Sequence, residues 1–173
     1  INHAEDTHVF YDITFQPIVE AIKDKVPSVK HWIVLTDQAH KPQTAMNIRT
    51  YEEYIAPHST DVVWGDFPED TACGLCYTSG TTGDPKGVLY SHRSNILHTM
   101  IGLQKDAIGI GAADATLPVV PMFHANAWGL AFSGPATGSK LVLPGAKMDG
   151  ESIYELLENE KVTFTAAVPT VWL

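Results

Sequence analysis

Four aliphatic hydroxyls, three glycines and one ammonium group fall within eleven consecutive residues, Tyr77 to Gly87, which read YTSGTTGDPKG. Such a segment can wrap an anion. Its glycines let the backbone turn successive N–H groups toward one point at φ values other residues resist. The hydroxyls of Thr78, Ser79, Thr81 and Thr82 each donate to a phosphate oxygen, and Lys86 adds a mobile positive charge. A hydrogen bond to a charged group contributes about 1.5–3 kcal/mol, so five or six of them hold a triphosphate. The bland alternative is a flexible Ser/Thr/Gly turn between two strands, and the Pro85-Lys86-Gly87 ending argues against it. The loop is not a Walker A motif. Lys86 follows Pro85 and precedes Gly87, where that motif needs Gly-Lys and then Ser or Thr. Beyond Gly87, the run Val88-Leu89-Tyr90-Ser91 reads as a second strand and not as a helix.

A second candidate is His124, within Pro121-Met122-Phe123-His124-Ala125-Asn126-Ala127-Trp128. A neutral imidazole could orient a carboxylate, and a protonated one could offset developing negative charge. A core histidine bonded to a backbone carbonyl fits the residues equally well. His92 and His98 read as structural, the first at a helix start and the second on that helix's polar side. Asp149 and Glu151 fit charge compensation at a helix N-terminus, and Asp84 reads as solvent-facing. Cys73 and Cys76 form a C-x-x-C, but on a strand positions i and i+3 face opposite sides and no second pair completes a zinc site. They read as buried strand cysteines in a reducing cytoplasm. No GxSxG and no informative Ser-His-Asp spacing supports a hydrolase.

These residues need elements to hold them. His8 to Tyr11 reads as a strand, Phe15 to Lys25 as an amphipathic helix, and His31 to Thr36 as a buried strand, which makes one parallel crossover. Asp37 to Arg49 reads as loop. Thr50 and Glu53 form a capping box for Tyr51 to Ala56, and Pro57 to Thr71 is turn-rich. The phosphate loop joins strand Cys73–Tyr77 to strand Val88–Ser91. A helix then runs from Ser91 or His92 to about Ile108, ended near Gly109 and Gly111. Thr116 to Val120 reads as a strand, Trp128 to Thr137 as a small-residue helix and Lys140 to Leu143 as a strand. Asp149 caps a helix from Gly150 to Glu160, with Ile153, Leu156 and Leu157 facing inward, and Val162 to Val168 is the last strand. The alternation predicts a layered α/β fold, a largely parallel sheet flanked by helices.

A chain of 173 residues suffices for one domain with a real core. Its 45% apolar and 18% charged residues fit an ordinary soluble protein. A net charge of −9, with 11 basic residues scattered among 20 acidic ones, argues against nucleic acid as a partner. Local dipoles can still bind an anion. No apolar run of about eighteen residues predicts a membrane span, and the start shows no signal peptide. With no initiator methionine and an apolar finish from Ala167 to Leu173, the chain is expected to be cut from a longer one.

Tyr77 to Gly87 resembles the signature phosphate loop of the adenylate-forming superfamily, which includes acyl-CoA synthetases, firefly-luciferase-like enzymes and peptide-synthetase adenylation domains. VLYSHRSNILH, VVPMFHANAWG and LVLPGAKMDG are most similar to bacterial medium- and long-chain fatty-acyl-CoA synthetases, and the likeness runs from INHAED to VPTVWL. The resemblance implies that residues 1–173 form a single fragment of the large N-terminal ATP- and acyl-binding domain, with the C-terminal domain absent. It implies that Thr78, Ser79, Gly80, Thr81, Thr82, Gly83, Asp84, Pro85 and Lys86 surround the phosphates of ATP, with Thr78 a magnesium ligand. His124 would lie by the reacting carboxylate, Ala125 would approach the thiol acceptor through its backbone, and Trp128 would stand at the mouth of the acyl channel. The implied partners are small molecules: ATP with Mg2+, a carboxylic acid and CoA. A homodimer is left open. The reaction it implies joins the acid to AMP and then to CoA. The family's Tyr-Gly-x-Thr-Glu segment, ribose-binding aspartate and catalytic lysine are not found here, so the chain alone is expected to be inactive. Aryl, short-chain and sulfur-containing acids, a nucleotide-binding module without turnover, and a purely structural fragment are the alternatives.

Overall fold

A computed structural model describes residues 1–78 and 83–172, in two compact units, Ile1–Trp64 and Gly65–Leu173. The first is built on a three-stranded parallel sheet of β1 (His8–Asp12), β2 (His31–Leu35) and β3 (Ile48–Thr50), in that order. Helix α1 (Gln16–Ile22) crosses from β1 to β2. The stretch expected as one helix over Phe15–Lys25 has tighter ends, with 3-10 turns at Ile13–Phe15 and Lys23–Lys25. Val19 from α1 packs on Tyr11, Val34 and Ile48 of the sheet. Strand β3 ends the segment expected as loop. At three residues it is too short to show a period, and its pairing with β2 defines it. Thr50 then caps α2 (Tyr51–Ile55): the Glu53 N–H donates to Thr50 Oγ1 at 3.2 Å and the Thr50 N–H to Glu53 Oε2 at 2.8 Å. That is the capping box read from the sequence.

The second unit opens with an antiparallel hairpin, β4 (Ala72–Thr78) and β5 (Lys86–Ser91), bulged between Ala72 and Gly74. Ser91 and Ser94 cap α3 (His92–Gly102) reciprocally. This helix stops six residues short of the expected Ile108. The N–H groups of Ile108 and Gly109 turn back onto the Gly102 carbonyl at 3.0 and 3.1 Å, and Gly109 takes φ +69° to allow it. Strand β6 (Ala115–Pro118) is the centre of a parallel sheet in the order β7-β6-β8, with β7 (Lys140–Leu141) and β8 (Phe164–Ala166). Around it run the single turn α4 (Ala125–Trp128), α5 (Leu130–Thr137), α6 (Gly150–Asn159) and α7 (Pro169–Trp172). Leu117, Val119, Val142 and Ile153 pack together, and Ile110, Val120, Ala127, Leu130 and Ala166 form a second cluster.

The α/β class with largely parallel strands and flanking helices therefore holds. One sheet becomes two parallel sheets, and among the described residues β4 and β5 pair only with each other.

Candidate functional site

The hairpin fixes where the candidate phosphate loop begins and ends. Thr78 and Lys86 are register partners, and Thr78 Oγ1 donates to the Lys86 carbonyl at 3.4 Å, a long bond that leaves the hydroxyl's lone pairs uncommitted. Gly83 has φ +118° with open space where a side chain would stand, and Asp84, Pro85 and Lys86 are exposed. Ser79, Gly80, Thr81 and Thr82 lie outside the described residues. No cluster of three His, Cys, Asp or Glu side chains exists among the described residues. A magnesium ion here would take one threonine oxygen, with phosphate and water completing its shell, which is the donor set that ion favours.

The turn that carries His124 is unusual. Ala125, Asn126, Ala127 and Trp128 have φ of +46°, +53°, +52° and +56°, and Gly129 follows at +81°. The helix expected from Trp128 therefore becomes a left-handed turn, and right-handed α5 starts at Leu130. Left-handed backbone costs about 1–2 kcal/mol per non-glycine residue, so neighbours must impose it. Ala127 and Leu130 are 0% and 1% exposed and anchor both ends in the core. The Gly129 N–H donates to the Ala125 and Asn126 carbonyls, both at 3.1 Å. From β4, the Cys76 thiol donates to Asn126 Oδ1 at 3.7 Å. His124 stands just ahead of the turn, exposed, and no described residue bonds its imidazole. It is not a core histidine.

Ala125 and Trp128 meet on one cavity of about 250 Å³, with Tyr90, Asn95, His98 and Asn126 also in its wall. Trp128 also lines a more apolar cavity of about 350 Å³ with Ile108, Leu130, Phe164 and Trp172. His124 lines neither. His98, expected on a polar helix side, instead lays its ring over Gly129: a Cβ there would come within 2.6 Å of His98 Cε1. The signal for this was Gly129 itself, adjoining the aromatic Trp128. Asn126 is of a type that tolerates left-handed backbone, but its contact with Cys76 is not local in the chain.

The cysteines also depart from expectation. Cys73 is exposed and Cys76 half-buried, because the hairpin has no further strand beside it among the described residues. Asn95 Nδ2 donates to Cys73 Sγ at 3.0 Å, so the two sulfurs serve different partners. Asp149 caps α6 as expected. Its carboxyl is held below the ordinary range by the Ser152 N–H and then by the Ser152 hydroxyl. No helix among the described residues is long and apolar enough to cross a membrane.

Strands β4 and β5 thus bracket the glycine- and hydroxyl-rich segment read from the sequence, and His124 stands ahead of a left-handed turn whose residues line a cavity. The chain belongs to the AMP-binding enzyme family, whose model matches residues 1–173. It is 46% identical over 173 residues to the 3-methylmercaptopropionyl-CoA ligase of Ruegeria lacuscaerulensis, covering 99% of this chain and 32% of that one. Identity and coverage are the same for the medium-chain-fatty-acid–CoA ligase of Ectopseudomonas oleovorans. Among solved structures it matches an anthranilate CoA ligase in complex with anthranoyl-AMP, with a TM-score of 0.85 at 23% identity, over 99% of this chain and 32% of that one. The chain thus spans about a third of the length of the curated relatives it matches.

Proposed function

We propose that these residues form the phosphate-binding and acyl-proximal part of an AMP-forming acid–thiol ligase. In that reaction a carboxylate oxygen attacks the α-phosphorus of ATP, pyrophosphate leaves, and the CoA thiol then displaces AMP to give the thioester. The main support is the pairing of Thr78 with Lys86 across the hairpin, in a chain that the family model matches from end to end. The loop Thr78 to Lys86, with Ser79, Gly80, Thr81, Thr82, Gly83, Asp84 and Pro85 between, would surround the β- and γ-phosphates. Its N–H groups and the Lys86 ammonium would offset charge as pyrophosphate departs, by position alone. Magnesium held at Thr78 would neutralise phosphate charge. The exposed His124 imidazole would orient the carboxylate, Ala125 would meet the thiol through its backbone, and Trp128 would border the acyl tail.

For the acid we propose a medium- or long-chain fatty acid. The apolar wall of Ile108, Leu130, Phe164 and the two tryptophans supports this. A thioether acid is the second reading, favoured by an equally identical relative named for such a substrate. The enzyme would act in the cytoplasm on ATP, acid and CoA, with a homodimer as the assembly to test by sedimentation.

The test uses the full-length ligase. Lys86→Ala should lower acid-dependent ATP–pyrophosphate exchange about 100-fold, and His124→Ala about tenfold or more. Exchange unchanged by Lys86→Ala would overturn the assignment. Competing octanoate against 3-methylmercaptopropionate decides the acid by the ratio of kcat/KM values. The 173-residue chain alone should yield no thioester, and measurable turnover would refute that part.

A further inference from the structure

The first unit contains a polar cleft of about 90 Å³ that the chemistry above does not use. Lys30 and His31 enter it from the start of β2, Asn47 and Arg49 from β3 and the residue before it, and Tyr54 from α2. The register explains the convergence. His8 pairs with His31 and Ile33 with Arg49, so the pleat sets His8, His31 and Arg49 on one face of the sheet. The His8 and His31 rings stack at 4.5 Å, and Tyr54 closes over both with centroids 5.9 Å away.

The charges there are all of one sign. Among the described residues neither Lys30 nor Arg49 enters an ion pair, and no carboxylate lines the cleft. The carboxylate next to Tyr54, Glu53, is committed to Lys41 at 2.6 Å and to the Thr50 N–H. In a chain of net charge −9 this is an uncompensated positive patch. Nearly every polar side-chain group facing it is a donor: a guanidinium fork, an ammonium, an amide NH2, a phenol and imidazole N–H. Guanidinium matches oxyanions through two parallel bonds, and ammonium adds a point charge. The volume, roughly that of three waters, admits a tetrahedral oxyanion and not a nucleoside.

We propose that this cleft is a second anion site, separate from the phosphate loop, that binds a doubly charged tetrahedral oxyanion of the phosphate type. Burial, and then His8, Arg49 and Lys30, push the His31 pKa below its ordinary value. An anion set among these cations reverses that like-charge effect and favours protonated His31. The groups that face the ring are His8 from β1, Arg49 from β3, Tyr54 from α2 and Lys30 beside it; the His58 ring stands against Tyr54, at 6.2 Å. Affinity should therefore rise as pH falls through the His31 titration.

Sulfate is the probe, because it keeps both charges across that range. In the 173-residue chain, sulfate should move the His8 and His31 ring signals in NMR spectra along a single saturating curve. The site should persist in Lys86→Gln, and weaken about tenfold or more in Arg49→Gln and in Lys30→Gln. Arg49→Lys, which keeps the charge but not the fork, should fall between the two and guards against misfolding of the neutral variant. His31→Gln should remove the gain in affinity between about pH 8 and pH 5.5. Acetate should bind at least about tenfold more weakly than sulfate. Ring signals that do not respond overturn the proposal. So does sulfate binding lost in Lys86→Gln but kept in Arg49→Gln, or acetate binding as tight as sulfate.

Discussion

Strand β6 and the hairpin β4–β5 are similar apolar runs in the sequence, and the fold treats them oppositely. All four residues of β6 are buried, with Leu117 at 0% exposure, because β7 and β8 flank it and α6 packs on it through Ile153. On the hairpin Leu89 is 66% exposed, and Leu75 and Val88 are also open. The difference follows from neighbours. A central parallel strand has hydrogen-bond partners on both edges and side chains over it, whereas the hairpin has no third strand among the described residues, and two strands are marginal by themselves. The proposed phosphate loop thus sits on the less supported of the two, where loops that bind and release ligands belong.

The largest expected effect probes that contrast directly. Leu117→Ala should cost about 2–5 kcal/mol, since the cavity it leaves has no solvent to fill it. Leu89→Ala should cost less than about 1 kcal/mol. Urea melts of the two variants compare them, and equal losses would mean that the hairpin is as deeply packed as the sheet.

Next in size is Gly129, where the left-handed turn meets α5. Gly129→Ala places a side chain at φ +81° and against the His98 ring, so about 1–3 kcal/mol should be lost. Repeating it in a His98→Ala background separates the two causes. The steric part should vanish and the backbone part remain. A smaller gain is expected from Ala125→Gly, which relieves left-handed backbone at an exposed residue and should stabilise by about 1 kcal/mol. Ala131→Gly, in right-handed α5, should destabilise by a similar amount. Opposite signs for the same substitution, read from thermal melts, are the signature of a left-handed turn. Equal signs would remove it.

What the sequence disclosed tracks how local each determinant is. The Thr50–Glu53 box, the Asp149 cap and the two strands around the loop are set within a few residues, and each was legible, though the antiparallel pairing of those strands was not. The early stop of α3 depends on Ile108 and Gly109 returning to Gly102, which no window over the helix itself reveals. Strand β3 exists only through its pairing with β2. The division into two parallel sheets is likewise a matter of which strands meet, and apolar runs do not record that. In the candidate site, Thr78 and Lys86 stood out by type and spacing, His124 by type, and Trp128 through the family resemblance. Asn126 and His98 did not, because their roles come from contacts with Cys76 and Gly129, 50 and 31 positions away.

Asp114 gives the finest test, since its carboxylate ties the β6 entry to the residue before β8. Its Oδ2 accepts the Gly111 N–H and its Oδ1 the Thr163 hydroxyl, both at 2.7 Å. The Gly111 N–H, and then Thr163, hold its pKa below the ordinary carboxylate value. A depressed folded pKa means the stabilisation is complete above the unfolded value, near 3.9, and is lost as pH falls through the folded one. Asp114→Asn keeps one acceptor oxygen and cannot ionise. The stability gap between parent and variant should therefore be constant from about pH 7 to pH 5 and close toward about pH 3. No comparable change is expected for Leu89→Ala, which alters no titrating group. A gap that stays level through the acid range would mean that the Asp114 charge contributes nothing, and that β6 and β8 are held by their ladder and their packing alone.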